Sequence, residues 1–143
     1  MQVKRGFTMI EIILVMIVVG VLAAVAIPSY QSSIWVANMQ AGENNLRAIA
    51  AAEQKYYEDH GQYYISPTGP SNDTGISTNL FLSMGAESSG LNYLCITAGN
   101  AYGCTASSSA TPPAGQPNKI QMDYNGNLTC LTNAVTMTCP QGL

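Results

Sequence analysis

One carboxylate stands at the edge of an otherwise apolar run near the start of this chain. Glu11 is followed by Ile12–Ile27, sixteen residues without a charge, an amide side chain or a hydroxyl. An ionised carboxylate near a bilayer centre costs roughly 2.5–3.5 kcal/mol or more, so it calls for a headgroup, a cation or a proton. Lys4 and Arg5 lie just upstream, separated from the run by Gly6. Gly6 has no side chain, which lets a protease approach the backbone closely. A cut after Gly6 would remove Lys4 and Arg5 and bare an α-amino group on Phe7, four residues before Glu11. At that spacing amine and carboxylate can meet on one helix.

The other residues able to do chemistry are four cysteines and one histidine. Cys95 and Cys104 are separated by eight residues, as are Cys130 and Cys139. Neither pair has the close spacing of a zinc site or of a redox C-x-x-C, and four cysteines allow three disulfide pairings. The local pairing is the simplest, each loop contributing about 2–3 kcal/mol on the chain-entropy estimate. His60 has no second histidine and no nearby cysteine, so it reads as a solvated loop residue. No metal ligand set, no Ser/His/Asp constellation and no phosphate-binding glycine loop is evident, and the expectation is a non-enzyme without a cofactor.

The apolar stretch Phe7–Ile27 is long enough to cross a bilayer, which takes about 20 helical residues. Lys4 and Arg5 put its N-terminal side in the cytoplasm by the positive-inside rule. Three readings compete: a secretory signal cleaved near Ala23–Ala26, an uncleaved anchor, or a segment cut before the apolar core and kept in the product. The rest of the chain is polar, rich in Ser, Thr, Asn and Gly, and suits an oxidising compartment. The formal net charge of −3 offers no broad basic surface for nucleic acid.

The run Lys4-Arg5-Gly6-Phe7-Thr8-Met9-Ile10-Glu11, continued through Ile12–Ile27 and Pro28-Ser29-Tyr30, closely resembles the class III signal of type IV prepilins and pseudopilins. That resemblance implies cleavage after Gly6 by a membrane aspartyl prepilin peptidase, N-methylation of Phe7, and pairing of the new terminus with Glu11 of a neighbouring subunit to set axial register. It implies other pilin subunits, the peptidase, an inner-membrane assembly machinery and, before assembly, lipid as partners. The expected localisation is inner membrane first and an extracellular pilus afterwards, serving adhesion, twitching motility or DNA uptake. The alternative is a pseudopilin of a type II secretion system. Ala51-Ala52-Glu53-Gln54-Lys55-Tyr56-Tyr57 with Gly61-Gln62-Tyr63 is similar to minor pilins of the type IVa class. Pilins often tie a C-terminal loop with a disulfide, a role that Cys130–Cys139 would match.

The expected fold is α+β, a type IV pilin fold with a long N-terminal helix on a small antiparallel sheet. Residues 1–6 form the leader, 7–28 the membrane and polymerisation helix, and 29–143 the head. Within the head the helix runs to about residue 59, a connecting loop covers 60–90, and the sheet covers 91–143. Gly20 and Pro28 are the weak points of the rod, since Pro28 lacks a donor and clashes one turn back. Trp35, Met39, Gly42, Leu46, Ile49 and Tyr56 share one helical stripe, interrupted by Glu53. Glu43 and Arg47 sit at favourable i, i+4 spacing on an exposed side. A helix from Thr8 to Asp59 would be roughly 75 Å long, more than a small head can cover. Ile65–Ser89 reads as loop around Leu80-Phe81-Leu82, Asn92–Thr97 as a strand, and Thr105–Gly115 as surface loop. Lys119–Tyr124, Asn125-Gly126 and Asn127–Leu131 read as a hairpin with a two-residue type I′ turn, and Ala134–Thr138 as a last strand.

Overall fold

The computed structural model describes residues 7–66, 74–82, 90–98, 101–132 and 135–139. Residues 1–6, with Gly6 of the expected cleavage site, lie outside the described residues. The chain falls into two units, Met1–Ile34 and Trp35–Leu143.

Helix α1 spans Met9–His60 and runs through both Gly20 and Pro28 without a break in its assignment. In the first unit no described side chain is buried, and the large apolar residues from Phe7 to Ile27 are open to their surroundings. Such a surface is apolar on every side, the mark of a helix destined for lipid or for other protein. It is the one helix among the described residues with the length and composition to cross a membrane.

The second unit closes on itself. Five strands form one antiparallel meander: β1 Leu91–Ala98, β2 Ala101–Ser108, β3 Lys119–Asp123, β4 Leu128–Thr132 and β5 Val135–Met137, in that spatial order. Alternate residues of β1 to β3 point at the back half of α1, which buries Met39, Gly42, Leu46, Ile49 and Glu53. Gly42 is there because the helix comes close: a Cβ at that position would stand 2.7 Å from Leu91 Cδ1 and 3.5 Å from Ala106 Cβ. Trp35 Nε1 donates to the Pro117 carbonyl at 2.8 Å, Asn45 Nδ2 to Tyr93 Oη at 2.9 Å, and Tyr102 Oη to the Ala50 carbonyl at 3.3 Å. These bonds fix the rotation of the helix over the sheet, which apolar contact alone leaves loose.

Local rules account for the ends of the elements. Gly61 follows α1 with φ +71° and its N–H returns to the Tyr57 carbonyl at 2.8 Å, the left-handed cap that a helix end prefers. Glu43 and Arg47 do form their i, i+4 ion pair at 2.6 Å, although the Glu43 side chain is mostly covered.

Several expectations are corrected. His60 is the last residue of α1, stacked on Tyr56 with ring centroids 4.1 Å apart, and is not a loop residue. The connecting segment holds a short helix, α2, over Thr74–Asn79. It ends with the Leu82 N–H on the Ser77 carbonyl at 3.0 Å and with Phe81 at φ +53°, where glycine is usual. Strand β2 takes in Thr105–Ser108, because Ala, Gly and Ser carry too little apolar signal to mark a strand that neighbours on both sides impose. The Asn125-Gly126 turn is not the two-residue kind. Asp123 and Asn127 close a three-residue loop, in which Gly126 alone has positive φ, at +81°. The Asp123 carboxylate decides this by taking the N–H groups of Asn125 and Asn127 at 3.0 and 2.8 Å and Asn127 Nδ2 at 2.9 Å. Those bonds, led by the two from Asn127, also hold its pKa below the usual carboxylate value.

Candidate functional site

The start of α1 is built by Thr8. Its Oγ1 accepts the Glu11 N–H at 3.3 Å and its carbonyl accepts from Glu11 and Ile12 at 3.1 and 3.4 Å. Thr8 is therefore the N-cap and Glu11 the third helical residue. Thr8-Met9-Ile10-Glu11 has the S/T-x-x-E form of a capping box, so the sequence itself carries a signal for this helix start. The arrangement places the Glu11 carboxylate in the first turn, where the free N–H groups and the helix dipole favour negative charge. Glu11 and Phe7 are both exposed, so among the described residues nothing covers either the acid or the residue that a cut after Gly6 would make terminal. Chemically this is a carboxyl group without a partner among the described residues, at the mouth of an exposed apolar rod. It can take a cation from another molecule.

Both local cysteine pairs are bonded. Cys95 and Cys104 lie directly opposite each other on β1 and β2, with sulfurs 2.06 Å apart, and both are buried. Cys130 on β4 is bonded to Cys139 beyond β5, tying the last strand to the sheet.

The residue that the sequence reading misplaced is Glu53. It does not interrupt the buried stripe of α1 but completes it, with 0% of its surface exposed. Its Oε2 accepts the Tyr64 N–H at 2.8 Å, while Oε1 finds no donor among the described residues. Burial pushes its pKa up to about 7, partly offset by the Tyr64 hydrogen bond. Tyr102, beside it, is pushed up as well, by burial first and then by the charge of Glu53. A carboxylate oxygen of Glu53 and the sulfurs of Cys95 and Cys104 come within 4.8 Å of one another. Because those sulfurs are bonded to each other, the trio offers no thiolate to a metal. Around Glu53 the aromatic rings form two groups. Tyr56 stacks on His60 and meets Tyr64 edge-on, and Tyr63 stacks on Tyr57 and tilts against Tyr102. Tyr56, Tyr57, Tyr63 and Tyr64 are read from the sequence alone as aromatic packing where the helix gives way to loop, but nothing in the sequence marks Glu53 as buried.

Comparison with known proteins bears on the N-terminal site. Residues 1–27 match the model of the prokaryotic N-terminal methylation motif. Fimbrial protein EcpC of Eikenella corrodens is 38% identical over 60 residues, covering 42% of this chain and 39% of that protein. A fimbrial protein of Neisseria meningitidis serogroup A is 41% identical over 73 residues, covering 50% of this chain and 38% of that protein. The type IV major pilin protein PilA of Myxococcus xanthus is 32% identical over 60 residues, covering 42% and 27% respectively. The chain thus aligns with less than half the length of these curated relatives. No solved structure matches it.

Proposed function

We propose that this chain, which belongs to the type IV pilin family, is the building block of a pilus that polymerises through the front half of α1. The observation that carries the reading is the pairing of the methylation motif over residues 1–27 with a capped helix start where Glu11 stands exposed before an uncovered apolar rod. An apolar surface of that size is stable only in lipid or against like helices. It uses lipid first and subunits afterwards. Its similarity to a fimbrial protein and to type IV major pilins favours a pilus over a secretion pseudopilus.

In this reading the chain sits in the inner membrane with its N-terminus in the cytoplasm. Prepilin peptidase cuts after Gly6, a methyl group is added to the amine of Phe7, and the assembly machinery extracts the subunit. The new ammonium is the only cation that the processing creates beside the run. Paired with Glu11 of the neighbouring subunit, it neutralises the acid as both leave water. Breaking such a buried pair by removing one partner costs on the order of 3–5 kcal/mol, enough to set register. Gly20 and Pro28 are the points at which the rod can bend or open during packing. The filament would then serve adhesion, twitching motility or DNA uptake.

Mass measurement of the native protein tests the reading. A mature chain beginning at methylated Phe7, recovered from sheared surface fibres, is the expected result. A functional protein that retains Lys4 and Arg5 overturns it.

A further inference from the structure

The second unit holds a buried acid that the assembly reading does not use. Glu53 lies where three pieces of the fold meet: α1, which carries it; the segment after α1, whose Tyr64 N–H it accepts at 2.8 Å; and the Cys95–Cys104 bridge between β1 and β2. That segment is the strap over the outer edge of the sheet. Two residues beyond Tyr64, Ser66 donates its N–H to the Cys95 carbonyl at 3.1 Å and accepts the Cys95 N–H on Oγ at 3.1 Å. Edge strands need covering, and here one short loop supplies the cover. Its backbone is fastened at Tyr64 on Glu53 and at Ser66 on Cys95, while its rings pack on Tyr56, Tyr57 and Tyr102 and Tyr64 Oη accepts from Asn79 Nδ2 at 3.2 Å.

Among the described residues, the groups that face Glu53 give it no cation. From the strap come Tyr63 and Tyr64, from β2 comes Tyr102, from β1 and β2 comes the disulfide, and from its own helix comes Tyr56. Asp123 on β3 adds negative charge to the same neighbourhood through Tyr102. Lys55 is exposed on another face of α1, and Arg47 is taken by Glu43. A carboxylate with one N–H donor, and with neither a partner for its second oxygen nor a counter-ion among the described residues, is poorly accommodated when charged, whereas a neutral carboxyl keeps the Tyr64 bond at far lower cost.

We propose that Glu53 is a proton-operated latch on the strap over residues 61–66: protonated, it holds the strap closed across α1 and the β1 edge; ionised, it loosens that seat. The sign follows from its surroundings. With the pKa raised from 4.5 to about 7 in the fold, the folded chain binds a proton that the unfolded chain has released. Stability contributed by this group is therefore full below about pH 4.5, is lost as pH rises toward 7, and stays lost above it. A head leaving a mildly acidic surrounding for a neutral one would relax first at this strap, exposing backbone at the β1 edge. The inference stands whether or not the chain polymerises.

Amide hydrogen exchange on the full mature chain in detergent micelles, between pH 5.5 and 8.5 and corrected for intrinsic rates, tests it. Protection of the Tyr64 and Ser66 amides should fall on the order of tenfold or more across this range, while Ala106 and Ile120 in the sheet stay protected. In Glu53→Gln, which keeps an acceptor for Tyr64 but cannot ionise, strap protection should not vary with pH. Strap protection that is flat in the native chain, or the same pH slope in Glu53→Gln, overturns the proposal. Should Glu53→Gln lose its sheet protection altogether, the carbon-13 titration of Glu53 in the native chain decides. A midpoint near 7 supports the latch, and one below about 5.5 overturns it.

Discussion

One helix is stabilised in two opposite ways. Over Met9–Ile34 it shows apolar side chains on every side and buries none of them; from Trp35 to His60 it shows a single stripe and buries Met39, Gly42, Leu46, Ile49 and Glu53. The backbone hydrogen bonds are the same in kind, so helix formation does not distinguish the halves. Burial does. The back half meets its sheet within the chain, and its stability is a property of one molecule. The front half is unfinished until something else covers it, and its stability belongs to a membrane or a filament.

Replacing Glu11 with Val attacks the front half and should have the largest effect. Fibre yield after shearing should fall at least a hundredfold, in line with about 3–5 kcal/mol lost per pairing. Processing at Gly6 and urea unfolding of the head in detergent should be unchanged. If normal fibres form, the front half assembles by grease alone and the comparison loses its electrostatic side.

A matched pair of truncations sharpens the contrast. Leu46→Ala removes a fully buried side chain from the back half and should cost the head about 2–5 kcal/mol. Leu14→Ala changes a side chain that is 60% exposed and should move head stability by no more than about 0.5 kcal/mol. Equal losses, read from urea midpoints by tyrosine near-UV dichroism, would mean that the head depends on the rod.

Replacing Cys130 and Cys139 together by Ser frees the end of the chain after β4. A loss of about 2–3 kcal/mol is expected, with the β4–β5 amides exchanging first. Loss of fibres without loss of head stability would assign this bridge to assembly instead.

The smallest effect has the opposite sign. Phe81 is 94% exposed and holds a left-handed conformation at the end of α2. Phe81→Gly should raise head stability by up to about 1 kcal/mol, since it removes the Cβ strain and no packing. A fall in the urea midpoint would show that the ring has a partner in the folded head.

Much of the fold is legible in single residues. The break between an all-round apolar run and a one-sided stripe lies on the page as a change of period, and Gly61 announces the end of α1. The Asn-Gly pair announced a turn but misled on its length. The type I′ rule considers the turn alone, whereas the Asp123 carboxylate, two residues upstream, gathers three donors and selects the longer loop. β2 was not legible as a strand, because small side chains make one only when neighbours on both edges offer hydrogen bonds, and β3 on one of those edges is distant in sequence. At the N-terminal site, Glu11 could be read directly, and Thr8 could have been read from the capping-box spacing.

The sequence by itself determined the front half: a run with no polar side chain has one response to water, and Glu11 is conspicuous wherever that run goes. Only the tertiary structure decided the fate of Glu53. On the helix wheel it is an acid among apolar neighbours, which equally describes an exposed edge. It is buried because the strap carrying Tyr64 and the cross-strand bridge of Cys95 and Cys104 close over it, and solvation depends on what lies above a side chain in space, which its neighbours in sequence do not encode.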